Sequence, residues 1–284
     1  MMKFTMYANF TEMVAEKGIE YAAQYAVEKG FSSVEFLVNA HKPESYPIAD
    51  LESAKYAGQV LEQAGLTVAC YSVCVDLLNN REIETEMKKH VELAAQLGSP
   101  YLHHLLIPDI ELSEDPRENE ARIDYIVEAA GRIADYAALF GVVCIYEDQG
   151  NYVNGVQGFG NFWEKMKQRS KNVGICGDLG NVVFVGETPE PFFRTFVKEI
   201  CHVHVKDYLW KKAAVAPGKY WEKGIGDNWF RDTLVGDGII DFEACLKVLN
   251  EAGYEGNYAL EISHPEPFEE GVIQAMAYLR RWER

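Results

Sequence analysis

The chain has 284 residues, of which 48% are hydrophobic, and its formal net charge is −17. This length and apolar content suit one α/β barrel with a large core, so we expect a single domain over residues 1–284. The negative charge disfavours phosphate backbones and anionic lipid, because nucleic-acid affinity comes largely from Lys and Arg, and we therefore expect neither nucleic acid nor a membrane as a partner.

Short β-type runs alternate with amphipathic helical patterns along the chain, about eight times. The predicted strands are 4–8, 33–37, 67–73, 101–106, 142–147, 173–178, 200–206 and 257–262. The predicted helices are 13–28, 50–63, 81–96, 117–140, 159–169, 189–198, 241–251 and 266–282. Eight β/α units without a Gly-x-Gly-x-x-Gly after the first strand favour a closed (β/α)8 TIM barrel over the alternative, an open doubly wound sheet.

Glycines recur where predicted helices end, and they are Gly30, Gly65, Gly98, Gly141 and Gly253. A glycine there allows the left-handed backbone of a helix C-terminus. We predict no membrane span or signal sequence, because no stretch approaches roughly 20 apolar residues and the N-terminus lacks an apolar run. The six cysteines lack paired spacing. A cytoplasmic protein with free thiols is expected.

One long irregular segment, residues 208–238, is predicted to follow the seventh strand. It carries aromatic residues, including Trp210 and Trp229, beside lysines such as Lys211 and Lys223. In a barrel it lies on the active-site face. Two interpretations stay open, since long loops are usually functional: a lid over the site, or an oligomer contact or packed insertion.

Four β-type runs end in an acidic or imidazole side chain. The residues are Glu147, Asp178, His204 and Glu261, on the fifth to eighth predicted strands. The carboxyl ends of barrel strands meet at one face, and this set of ligands suits a divalent cation. The sequence predicts a site for one divalent ion, for which Mn, Zn, Mg and Co all qualify. The alternative for any one residue is a strand-end cap or an ion pair.

Further polar residues near predicted strand ends are candidates for substrate binding. In the run from Cys201 to Asp207, a period of two puts His202, His204 and Lys206 on one side of the strand, with His202 deepest and favoured as a core residue. Only one of two adjacent strand-four histidines can face the interior. The candidates are Glu35, His103, His104, Asn181, Lys206 and Asp207, and a structural role is the alternative for each.

The motifs resemble those of the xylose-isomerase-like TIM-barrel superfamily of sugar isomerases and epimerases. They are Tyr146-Glu147-Asp148, Gly177-Asp178-Leu179-Gly180-Asn181, His202-Val203-His204-Val205-Lys206-Asp207-Tyr208, Gly236-Asp237-Gly238-Ile239-Ile240-Asp241-Phe242 and Leu260-Glu261. The resemblance implies one divalent ion on the four residues at the strand ends. It also implies that Glu147 and Glu261 act as acid and base, and it makes a homo-oligomer an expectation.

The chain departs from better-known members of that superfamily at three positions. Asn181 stands where a His is frequent, Trp210 where tagatose-type epimerases have an Arg, and Val153 where they have a second acidic residue. These departures spare the predicted metal ligands and leave substrate and reaction open.

Our hypothesis is a metal-dependent isomerase or epimerase of a ketose or cyclitol, acting by proton abstraction next to a carbonyl. One alternative is a dehydratase of an inosose or shikimate-type substrate on the same site. A second alternative is a non-catalytic sugar-binding protein. In each case the expected partner is a small sugar or polyol.

Overall fold

A closed barrel of parallel strands forms the centre of the computed structural model, which describes residues 2–7, 9–80, 82–106, 113–262 and 268–283. The spatial order of its strands is β1-β11-β7-β6-β5-β4-β3-β2. The described strands are β1 (Lys3–Met6), β2 (Ser33–Asn39), β3 (Thr67–Cys74), β4 (Tyr101–His104), β5 (Val143–Glu147), β6 (Val173–Asp178), β7 (Ile200–Val205), β8 (Asp207–Lys212), β9 (Glu222–Lys223), β10 (Asn228–Thr233) and β11 (Asn257–Leu260). The predicted (β/α)8 barrel is confirmed, and the doubly wound alternative is wrong.

Helices surround the barrel and connect its strands. They are α1 (Asn9–Lys17), α2 (Ile19–Glu28), α3 (Leu51–Gln63), α4 (Ile83–Gln96), α5 (Pro116–Ala138), α6 (Gly155–Arg169), α7 (Pro189–Phe196), α8 (Phe242–Glu251) and α9 (Phe268–Leu279). Short 3-10 turns cover Pro43–Ser45, Asn181–Val185 and Arg280–Trp282. The predicted strand end at Ala8 and the predicted helix starts at Arg81 and Glu266 lie outside the described residues. Within the described part of the chain, every helix is too short or too polar to span a bilayer.

Glycines with positive φ separate helices α1 and α2 and end several other helices. The single helix predicted over residues 13–28 is wrong, because Gly18 adopts φ 87° and separates α1 from α2. A residue with positive φ cannot continue a right-handed helix. The glycines predicted to end helices do so with positive φ, between 72° and 86°. Those positions are Gly30, Gly65, Gly98, Gly141 and Gly253.

The sequence predicts an irregular segment after β7, and this prediction is wrong for most of its length. Strand β10 pairs antiparallel with both β8 and β9 to form a three-stranded sheet, and Phe230 lies opposite Trp210 and Glu222. The prediction failed because short aromatic and lysine-rich strands with a long turn between them lack a clear period of two. We call residues 207–233 the inserted sheet.

Alternation along each strand divides the barrel into two environments. Val203 and Val205 of β7 point outward into the large apolar core between strands and helices. The side chains of His202 and His204, on the opposite side of the same strand, are fully buried inside the barrel. A parallel barrel thus fills its interior with side chains, and here many of them are polar.

His90 on α4 offers a test of the packing outside the barrel. It is fully buried, its two ring nitrogens lie 3.1 and 3.2 Å from the hydroxyls of Tyr46 and Tyr71, and burial lowers its pKa from 6.5 to about 4. Because the unfolded chain binds this proton more readily, the stabilising contribution is complete above pH 6.5 and is lost as pH falls towards 4.

We therefore expect the free energy of unfolding of the native protein to fall by about 2 kcal/mol more than that of His90→Gln between pH 7 and pH 5. Urea unfolding of both proteins at the two pH values, with chelator present, measures the difference. Equal losses in the two proteins would contradict a neutral, buried His90.

Candidate metal centre and active site

Four donor groups meet at the carboxyl-terminal mouth of the barrel. Glu147 and Asp178 are the last residues of β5 and β6, His204 is the penultimate residue of β7, and Glu261 directly follows β11. One ligand atom from each of the four lies within 4.8 Å of the others. Strand ends that are far apart in sequence are therefore adjacent in space, as parallel closure requires.

Hydrogen bonds fix the orientation of two of these groups. His204 Nδ1 lies 2.6 Å from Glu147 Oε1 and 3.7 Å from Glu261 Oε2. Asp178 Oδ1 accepts hydrogen bonds from the backbone N–H groups of Gly180 (2.7 Å) and Asn181 (2.8 Å). Asp178 therefore has only Oδ2 to offer a ligand, and this buried oxygen accepts no hydrogen bond.

A buried lysine balances part of the negative charge. Lys206 Nζ lies 2.9 Å from Glu261 Oε2, 3.3 Å from Asp178 Oδ2 and 3.3 Å from the side-chain oxygen of Asn181. Burial opposes its charge, but Asp178 and Glu261 outweigh burial and hold the pKa of Lys206 well above 10.5. Lys206 is therefore a permanent cation beside two of the four donors.

The protonation of the cluster follows from burial and from the neighbouring charges. Burial raises the pKa of Asp178 to about 7. Burial also favours the neutral form of Glu147, but the contact with His204 outweighs it and lowers the pKa of Glu147 to about 2. For His204, burial is outweighed by Cys176, Glu35 and Glu147, so its pKa lies well above 6.5.

The donor set fits a divalent ion. Three carboxylates and one imidazole provide oxygen and nitrogen ligands of the type that Mn²⁺, Zn²⁺, Mg²⁺ and Co²⁺ accept. Asp178 Oδ2 is buried and has the Lys206 ion pair at 3.3 Å but no hydrogen bond, so it retains lone pairs for an ion. Mutual repulsion of these carboxylates is relieved by a cation shared among them.

Below the donors, a carboxylate connects several polar side chains inside the barrel. Glu35 Oε2 lies 2.7 Å from His202 Nε2, and Glu35 Oε1 lies 3.1 Å from His204 Nε2. Ser72 Oγ donates to Glu35 Oε1 at 2.5 Å and lies 2.9 Å from His103 Nδ1. Burial opposes ionisation of Glu35, but His204 and His202 outweigh it and hold its pKa well below 4.5.

The predicted position of Glu35 at the end of strand two is therefore wrong. Strand β2 continues to Asn39, four residues further, so Glu35 is fully buried beneath the four donors and out of reach of a substrate at the mouth. The predicted strand ends two residues early, at Leu37, because Asn39 is of a residue type that usually marks a turn.

The two strand-four histidines face opposite ways. His103 Nε2 points into the barrel and lies 3.8 Å from Glu147 Oε2. His104 packs edge-on against Tyr146, which in turn packs against Phe162 of α6. His104 thus lies between sheet and helices, away from the donors, and does not join the predicted substrate-binding residues there.

Asp207 is also outside the site. Its carboxylate accepts hydrogen bonds from the backbone N–H groups of four residues at 2.8 to 3.2 Å, and they are Tyr208, Gly236, Gly238 and Ile240. Both oxygens are fully used in holding the two ends of the inserted sheet together. The structure therefore does not place Asp207 among the substrate-binding residues that the sequence predicts.

A polar cavity of about 320 Å³ opens above Lys206 and Glu261. Asn181 and Gln149 line it from the barrel, and Glu222, Lys223 and Asp232 line it from the inserted sheet. The inserted sheet therefore covers part of the candidate site, as the lid interpretation requires, and its movement stays a prediction.

Sequence reasoning missed two residues of the site. The Tyr7 ring stacks on the His204 ring with centroids 4.6 Å apart, and Asp148 Oδ1 accepts a hydrogen bond from the backbone N–H of Asp178 at 3.0 Å. Tyr7 directly follows β1, and Asp148 directly follows β5. The search for polar residues at strand ends, which located the donors, therefore also applies to these two residues.

A parallel (β/α)8 barrel with carboxylates and an imidazole at its mouth defines a class of barrels suited to binding a divalent ion. The chain belongs to the xylose isomerase-like TIM barrel family, whose model matches residues 23–282. The predicted superfamily resemblance is thereby confirmed.

Two curated relatives are inosose dehydratases. The one from Geobacillus thermodenitrificans is 27% identical over 211 residues, which cover 71% of this chain and 67% of that protein. The one from Clostridium botulinum is 30% identical over 146 residues, or 50% of this chain and 48% of that protein. The chain therefore matches about half of the length of the second relative.

Solved structures share the fold over nearly the whole chain. An L-ribulose 3-epimerase superposes with a TM-score of 0.75 at 14% identity, covering 99% of this chain and 94% of that one. A probable 3-DHS dehydratase from Bacillus anthracis gives 0.73 at 14% identity, covering 98% of both chains. At this identity the likeness concerns the fold alone.

We expect Asp207→Ala to destabilise the protein by about 1–3 kcal/mol, because four backbone N–H groups lose a charged acceptor. Divalent-ion affinity should change less than threefold, since Asp207 is turned away from the donors. Thermal unfolding and metal titration measure the two quantities. An unchanged stability together with lost metal binding would contradict this assignment.

Proposed function

We propose that the protein is a divalent-metal-dependent enzyme that removes a proton from the carbon next to the carbonyl of a neutral polyol ketone. The observation that carries the proposal is the group Glu147, Asp178, His204 and Glu261. Glu261 belongs both to this group and to the lining of the polar cavity, so the group borders the cavity. The cavity volume of about 320 Å³ is large enough for a small polyol.

Those four residues would hold the metal. When bound, a divalent ion supplies positive charge that stabilises the negative oxygen developing as such a carbon loses its proton. Of the two glutamates proposed as acid and base, Glu261 lines the cavity, and its side chain is 25% exposed against 4% for Glu147. We assign proton removal to Glu261 and the second proton transfer to Glu147.

The cavity supports a neutral, hydroxyl-rich substrate. Its lining combines amides from Gln149 and Asn181 with both acidic and basic side chains, including Lys223 and Asp232. Such a mixture offers donors and acceptors to hydroxyl groups and has no excess of positive charge for a phosphate.

Dehydration of a cyclic polyol ketone is the outcome we propose, because the curated relatives reported above are inosose dehydratases. In that case the carbanion expels a hydroxide from the neighbouring carbon, and water leaves with the added proton. The second candidate is isomerisation or epimerisation, which the presence of two glutamates in one site favours. There the proton returns to carbon instead.

The first experiment measures metal content and carbon-proton exchange. We expect one divalent ion per chain in the native protein, at least tenfold weaker binding in His204→Ala and Glu147→Gln, and solvent deuterium entering a ketose or inosose. Glu261→Gln should reduce the exchange by about 10²–10⁴-fold. Glu222→Gln is the matched control, because it removes a cavity carboxylate outside the four-donor group.

The product separates the outcomes. Loss of water with a new ultraviolet-absorbing enone supports dehydration, and an isomeric product supports the second candidate. Sugar binding without deuterium entry would overturn the enzymatic proposal in favour of a binding protein. A native protein without a bound divalent ion would overturn the metal centre.

Removing the charge of Lys206 should change metal affinity and turnover in opposite directions. Removing its charge in Lys206→Met should tighten divalent-ion binding about tenfold or more, because a cation within 3.3 Å of two donor oxygens repels the ion. Turnover should nevertheless fall by about 10²-fold or more, because the substrate loses a fixed cation beside the developing negative charge.

Competition with a chelating dye measures the affinity, and steady-state kinetics measures turnover. Lys211→Met is the control, since this exposed lysine lies on β8 of the inserted sheet and does not line the cavity. A parallel loss of affinity and turnover in Lys206→Met would mean that the lysine only supports the structure.

A further inference from the structure

The polar network inside the barrel has no role in the proposed chemistry so far. Glu35, Ser72 and His202 are fully buried, and burying an ionised carboxylate is costly unless its oxygens are well paired. Three donors reach the two oxygens of Glu35. An apolar side chain would fill the same space at lower cost in free energy. Packing alone therefore does not account for a charged residue at this position.

The hydrogen bonds of Glu35 determine the proton positions on its neighbours. An ionised carboxylate only accepts, so the single hydrogen of the Ser72 hydroxyl is donated to Glu35 Oε1. The contact of 2.9 Å between Ser72 Oγ and His103 Nδ1 must then be an N–H donation from the histidine. A neutral His103 therefore carries its proton on Nδ1.

The other nitrogen of His103 is bare in consequence. His103 Nε2 is buried, has no hydrogen-bond partner and lies 3.8 Å from Glu147 Oε2, which is itself an acceptor. Two acceptors that face each other without a proton between them favour a neighbouring group that donates to them.

The same carboxylate acts on His204 from the opposite side to Glu147. Both nitrogens of His204 face acceptors, Glu35 at Nε2 and Glu147 at Nδ1. A divalent ion held by Nδ1 would take the place of the proton there, and the proton on Nε2 would remain donated to Glu35. In metal sites a ligating histidine usually donates its second N–H to such an acceptor, which fixes the ring and its tautomer.

We infer that Glu35 is a positioning residue whose carboxylate decides which nitrogen of His204 and of His103 carries a proton. As a result His204 Nδ1 and His103 Nε2 both offer lone pairs on the side of Glu147. The inference concerning His204 rests on the metal centre of the proposed function. The inference concerning His103 stands on the hydrogen bonds through Ser72 alone.

The tautomers are read from the native protein labelled with ¹⁵N-histidine. In the zinc-loaded protein, long-range ¹H–¹⁵N correlation should show His204 protonated at Nε2 and His103 protonated at Nδ1. Without zinc, His103 should keep the Nδ1 proton. A His103 protonated at Nε2 would overturn the inference even where zinc binds. Absent zinc binding would overturn the metal centre and the inference concerning His204, whereas the inference concerning His103 would still be decided by its own tautomer.

Variants of Glu35 test the effect on the metal. We expect about tenfold weaker zinc binding in Glu35→Gln, which keeps one acceptor, and about 100-fold weaker binding in Glu35→Leu, which keeps none. Ser33→Ala is the matched control. It lies two residues earlier on β2 and removes a buried hydrogen bond of 2.6 Å to Thr5 without touching a histidine.

Zinc affinity that is unchanged in Glu35→Leu, with a native circular dichroism spectrum, would overturn the positioning role. An equal loss of affinity in Ser33→Ala would also overturn it, because the effect would then follow from any defect in this strand. If Glu35→Leu does not fold, Glu35→Gln and the native tautomers still decide the question.

Discussion

The fold has to oppose the electrostatic repulsion among three carboxylates that lie together at the mouth of the barrel. Glu147, Asp178 and Glu261 each lie within 4.8 Å of His204. Among the described residues, Lys206 contacts Asp178 and Glu261, and the protonated ring of His204 contacts Glu147 and Glu261. Charges of one sign at this distance in a medium of low dielectric repel strongly. The mouth is therefore built to attract positive charge, and the fold has to supply the rigidity that keeps the acids together.

The barrel supplies that rigidity through layers of side chains. At the bottom, Thr5 and Ser33 pair across neighbouring strands, and above them Glu35 joins His202 to His204. Each layer is anchored on parallel strands whose outer faces pack in the large apolar core against the helices. Glu35 thus holds the ring of His204 from below, and this donor at the mouth loses little freedom when a ligand binds.

Sequence periodicity located the donors because each is tied to a strand end, which an apolar run followed by an acid or histidine marks clearly. It also placed His202 below His204, as the structure shows. It failed for Glu35, whose depth depends on where β2 ends, and for Asp207, whose partners come from Gly236 to Ile240, across the inserted sheet. Contacts between residues so far apart depend on pairing that no local pattern encodes. The choice between His103 and His104 needed the register of β4 for the same reason.

The inserted sheet has its two ends joined by one side chain. Asp207 begins it and binds the backbone of Gly236 and Gly238 just after it, while Thr233 pairs directly with Asp207. The intervening residues contribute Glu222, Lys223 and Asp232 to the cavity. Because the base is closed independently of the donors, the intervening residues can be exchanged without moving the strand ends. Substrate preference could therefore diverge, in evolution or by design, through this module alone while the chemistry at the mouth is conserved.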